Sequence, residues 1–152
     1  MNVATALVII PGFFLLIGYL PIRNRLGSWL PDQPIISPSP PATMFLWLGT
    51  LALFGAGVAL ADDQQKGLLA ASFIVPIVAA IWATLLVTRD QPRNAFFWLC
   101  VAWTLIAIVA AWIYAVDPSA SILTVPLLAF LILGGVANFF IWQRPPSTDS
   151  TV

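Results

Sequence analysis

The chain has 152 residues, 61% hydrophobic and 8% charged, against about 45–50% and about 25% in a typical soluble domain, so a water-soluble fold of this length could not hide its apolar surface. Six basic and six acidic residues cancel, which removes the electrostatic case for a nucleic-acid partner. With no His and one Cys, an intrachain disulfide, a Cys/His metal site and a haem or chlorophyll held through histidine are excluded, and the length leaves one domain with no separate catalytic module.

Crossing the roughly 30 Å hydrocarbon core takes about 20 apolar residues, and five stretches qualify. The first is residues 3–20, which holds Pro11 and Gly12. It lacks a basic leading region and a small-residue cleavage site, so it is read as a retained span and not as a signal peptide. A connection over 21–43 follows, with Pro31, Pro34, Pro38, Pro40 and Pro41 beyond Pro21, and with Trp29, Ile35 and Ile36 among them. A loop this long is usually functional or disordered, and its apolar residues favour a folded cap. The second span is 44–61, closed by the polar turn Asp62-Asp63-Gln64-Gln65-Lys66. The third is 67–88, with Pro76 inside it, and Arg89-Asp90-Gln91-Pro92-Arg93-Asn94 leads to the fourth, 95–116. Asp117-Pro118-Ser119-Ala120-Ser121 places Pro118 to start the next element. The fifth span is 122–142, with Pro126 in its first turns, and a polar tail fills 143–152.

No span holds a charge, and the runs are apolar throughout instead of alternating, so they are helices and not barrel strands. The expected fold is an all-α membrane protein, a five-transmembrane-helix bundle with a long Pro-rich first loop and no internal repeat. Arg23, Arg25, Arg89, Arg93 and Arg144 fall on one side of such a bundle and Lys66 on the other. Basic residues favour the cytoplasmic side. The expectation is therefore a multi-pass protein, in a bacterial inner membrane, with its N-terminus outside and its C-terminus in the cytoplasm.

Six of the seven Trp residues group toward the arginine-rich side: Trp29, Trp47, Trp82, Trp98, Trp103 and Trp142, with Trp112 near the opposite face. An interfacial aromatic belt accounts for some of this, but belts form at both interfaces. The other reading is an aromatic pocket in that half of the bundle, suited to a flat, mostly apolar ligand. Asn138 is an amide well inside a span, either a hydrogen-bonding brace between helices or part of a site. Small residues recur at packing spacing: Ala107, Ala111 and Ala115; Ala52 and Ala56; Gly55 and Ala59; Gly134 and Gly135. They fit close packing inside the bundle or a dimer seam, with internal packing favoured. Cys100 sits in apolar sequence and is expected to be a small core residue. No Gly-rich phosphate loop, intramembrane carboxylate pair or charged relay is present, so the chain is not expected to be an enzyme.

These features resemble the TspO/MBR (translocator protein, tryptophan-rich sensory protein) family. Trp29, Pro40, Pro41, Phe45, Thr50 and Gly57 carry the residue types of that family's first loop and second helix, and Trp82 matches the Trp of its third. Pro126 and the run Asn138-Phe139-Phe140-Ile141-Trp142 follow the register of its fifth. The departures are Thr43, Gly49, Leu53, Ala79, Leu127 and Phe130, where the family has Trp, Trp, Tyr, Asn, Tyr and Trp. No Tyr occurs in the fifth span, so a sterol motif is not supported. The resemblance implies a tetrapyrrole ligand such as a porphyrin, held in a cavity closed by the first loop without covalent attachment. It also implies a sensory, regulatory or transport-related role, often in a homodimer. The candidate binding residues are Trp29, Pro40, Pro41, Phe45, Trp47, Trp82, Trp103 and Asn138. The competing reading is an accessory or structural subunit of a larger membrane complex, its Trp residues turned to lipid or a partner.

Overall fold

The computed structural model describes residues 3–29, 40–62, 67–89 and 91–143, with the side chains of 26–29, 40–41 and 62 outside that description. The proline-rich segment 30–39, expected to form the core of a folded cap, lies outside the described residues. Among the described residues five helices are long and apolar enough to cross a membrane, and there is no strand. The fold is the five-helix bundle that the hydropathy pattern predicts.

Helix α1 is built of Val3–Phe14, a π-helical turn Leu15–Tyr19 and Leu20–Trp29. It runs past the expected end at residue 20, because Pro21 does not stop it. Pro21 has no N–H, and in a regular helix its ring would press on the carbonyl of Ile17. The widened turn just before it, in which the Leu20 N–H bonds Leu15 O, absorbs that misfit. Helix α2, Pro40–Asp62, starts earlier than expected. Pro40 and Pro41 fall in its first turn, where no N–H is needed. The connection over 21–43 therefore shrinks from both ends.

Helix α3 starts at Gly67, whose φ of 106° is open to glycine. It continues as Leu68–Ser72, Ile74–Ala83 and a second π-helical turn, Thr84–Thr88. The break at Phe73 is set by Pro76, which offers Ser72 O no donor. Phe73 N–H bonds Ala70 O at 3.3 Å, and the Ser72 hydroxyl donates to Leu69 O at 2.6 Å. Helix α4 is Pro92–Val116. Helix α5 combines Pro118–Ser121, a tighter turn Ile122–Thr124 and Val125–Trp142. Pro118 starts it as expected, and the Asp117 carboxylate accepts from the Ser119 and Ala120 N–H groups at 2.9 and 3.1 Å.

The helices close into a ring in the order α1, α2, α5, α4, α3 and back to α1. Phe14, Leu51, Phe54, Leu99, Ile106 and Leu127 fill its interior, all but fully buried. Lipid offers no hydrophobic drive to pair helices, so close approach of small residues holds the ring together. A methyl group on Gly55 would sit 2.9 Å from Ala6 O of α1, and one on Gly57 would sit 2.8 Å from Ala120 O of α5. Helix α2 is seated on two neighbours by its glycines.

Two expectations are corrected. On α4 the buried stripe is Leu99, Ala102, Ile106, Val109 and Ile113, while Ala111 and Ala115 are exposed and Ala107 is half-buried. The alanine stripe thus faces outward and does not pack internally. Cys100 is exposed on the same helix and is not a core residue.

Candidate functional site

Four rings meet inside the bundle. Trp47 of α2 lies 4.3 Å from Phe14 of α1, 5.3 Å from Trp82 of α3 and 6.1 Å from Phe130 of α5, measured between ring centroids. The Trp47–Trp82 pair is edge-to-face at 63°, a favourable arrangement for ring quadrupoles. Helical geometry explains why Trp47 points inward: Leu51 and Phe54, four and seven residues on, share its buried face.

Asn138 of α5 is fully buried beside Trp82. Its amide oxygen accepts from Trp82 Nε1 at 3.4 Å, and its Nδ2 donates to Pro92 O at 2.8 Å. The amide orientation is fixed by chemistry, since indole N–H can only donate and a carbonyl can only accept. The first contact is long for a hydrogen bond and the second is of full strength. One amide thereby links α3, α4 and α5. Gly134, one turn before Asn138, faces the Trp82 ring, and an added methyl group there would meet it in ordinary van der Waals contact at 3.7 Å.

The Trp47 indole N–H is buried and finds no hydrogen-bond partner among the described residues. Leaving such a donor unmet costs about 1–3 kcal/mol. The named residues therefore offer aromatic faces, one braced amide and one unmet donor, but no acid, base or nucleophile.

Of the expected binding residues, Trp47, Trp82 and Asn138 come together. Phe45 does not: it is 75% exposed on the outside of α2. Two residues along a helix is about 200° of rotation, so Phe45 and Trp47 cannot wall the same pocket. Trp103 is 41% exposed. It follows Ala102 of the buried α4 stripe by one residue, about 100° around the helix. It lines an open, almost wholly apolar groove of about 480 Å³ between α4 and α5, with Cys100, Leu131 and Phe139. The side chains of Trp29, Pro40 and Pro41 lie outside the described residues. Phe14 and Phe130 complete the cluster and were not among the expected residues. A signal for Phe14 exists in Gly18 one turn later, where an added methyl group would come within 2.5 Å of the Phe14 ring.

A family model, that of the TspO/MBR family, matches residues 4–143, nearly the whole chain. No curated protein and no solved structure matches the chain.

Proposed function

The chain belongs to the TspO/MBR family, and from that premise we propose that it binds a flat hydrophobic ligand of the tetrapyrrole class among the rings of Phe14, Trp47, Trp82 and Phe130. The observation that carries the reading is the buried Trp47 N–H, without a partner among the described residues, at the centre of an aromatic cluster. A porphyrin offers extended faces for stacking and carboxylate or pyrrolic nitrogen acceptors for that donor. The four rings pack against one another, so binding requires Phe14 and Phe130 to move away from Trp47, while Asn138 keeps Trp82 in place. The role is binding with a sensory, regulatory or transport-related outcome, and not catalysis. The arginine-rich end faces the cytoplasm of a bacterial inner membrane, with the N-terminus on the other side.

The test is a titration of the detergent-purified protein with protoporphyrin IX, followed by Trp fluorescence and by porphyrin absorbance. Saturable binding in roughly the micromolar range is expected. Trp47→Phe keeps an aromatic, though smaller, ring and removes the donor, and is expected to weaken binding by about five- to tenfold, the worth of one hydrogen bond. Unsaturable quenching, or equal affinity in parent and variant, rejects the assignment.

The outward alanines of α4 support a second reading, an accessory subunit whose α4 packs on a partner membrane protein. Mild-detergent purification separates the two. Stoichiometric recovery of a defined complex, together with no porphyrin binding, favours the subunit.

A further inference from the structure

On the outer surface, between α1 and α3, runs a groove of about 500 Å³. Phe13, Ile17, Ile77 and Ile81 form its walls, Thr84 adds a hydroxyl, and Arg89 stands at one end. The π-helical turns of the two helices lie along it: Ile17 belongs to Leu15–Tyr19, and Thr84 to Thr88 begins with the lining residue itself. Such turns widen a helix and recur at functional places. At the arginine end, Arg25 Nη1 of α1 donates to Thr88 O of α3 at 2.8 Å, one residue from Arg89. Two guanidinium groups thus stand near the end of a largely apolar channel, Arg25 already bonded to Thr88 O, and among the described residues no acidic residue lines it.

Charge decides what fits. A second copy of this chain would cover Arg89 with a face whose described lining residues include no acid, and a buried unpaired cation is strongly unfavourable. A lipid of zero net charge would fill the channel, but its headgroup brings a cation together with its phosphate and so offsets Arg89 less. An anionic amphiphile satisfies both parts, and arginines at the end of a spanning helix lie at headgroup level. We infer that the α1–α3 groove holds an acyl chain of an anionic membrane phospholipid, with its phosphate on Arg89 beside Arg25. This site is on the outside of the ring and is independent of the aromatic cluster inside it.

Native mass spectrometry of the full chain, purified in mild detergent and offered dioleoyl phosphatidylglycerol or dioleoyl phosphatidylcholine at equal concentration, tests this. The parent is expected to carry one phosphatidylglycerol, preferred over phosphatidylcholine. Arg89→Gln, at an exposed position, is expected to lower that preference about fivefold, the worth of one basic side chain at an anionic surface. Arg89→Lys is expected to keep it within about twofold, since the charge remains. Ile81→Trp narrows the channel and is expected to lower occupancy by both lipids. Equal binding of the two lipids by the parent, or an unchanged preference in Arg89→Gln, overturns the proposal. So does a dimer that Ile81→Trp dissociates without any lipid preference. Unaltered protoporphyrin binding in Arg89→Gln keeps this result separate from that of the internal site.

Discussion

Asn138 reaches two other helices with one side chain, so its removal is felt at both. Replacing it with Leu leaves Pro92 O without the amide donor and Trp82 Nε1 without an acceptor. Interhelical hydrogen bonds in membrane proteins average about 0.6 kcal/mol and reach about 1.7. Asn138→Leu is therefore expected to destabilise the bundle by about 1 kcal/mol in a denaturant titration in dodecyl maltoside. An unchanged midpoint would mean that the amide braces nothing. At this scale the sequence was partly legible. An Asn within an apolar span announces an interior position, because lipid cannot satisfy it. Trp is less informative, since its ring is at home in a core, in a groove or at an interface. Trp47 and Trp103 have the same chemistry and opposite placements. What separates them is the angular position of each around its helix relative to the buried stripe.

Between elements, glycine does what no sequence average reveals. Gly55 and Gly57 each bring α2 against a backbone carbonyl of another helix, and a backbone atom cannot swing aside as a side chain can. Gly57→Ala is expected to destabilise by about 1–3 kcal/mol, as overpacking does. Gly49→Ala lies on the same helix with nothing within 4 Å of the added carbon. It is expected to be neutral or to stabilise by up to about 1 kcal/mol through helix propensity. Thermal melts of the two variants beside the parent check the pair, and equal effects would remove the packing argument. The number and rough extent of the spans could be read from hydropathy, because length and apolarity alone determine them. The ends of α1 and α2 could not. Pro21 reads as a stop unless the π-helical turn ahead of it is known, and Pro40 and Pro41 read as loop although a first helical turn accepts them. The alanine stripe of α4 shows a related limit: small residues permit approach without naming the neighbour.

The ring order has a consequence for how the molecule is made. Helices α2 and α5 lie side by side, yet α3 and α4 are synthesised between them. A growing chain that has delivered four spans to the bilayer still has the Gly57 face of α2 bare, and α4 lacks the neighbour that carries Asn138. The final helix is the keystone, and assembly must wait for it. A chain ending at Val116 keeps four complete spans but is expected to be cleared from cells several times faster than the full chain in a pulse–chase measurement, as an unpacked helix face invites membrane proteases. Equal lifetimes would show that the first four helices close on themselves. Quality control on this protein is then a timing problem, in which the ribosome must finish before the protease arrives.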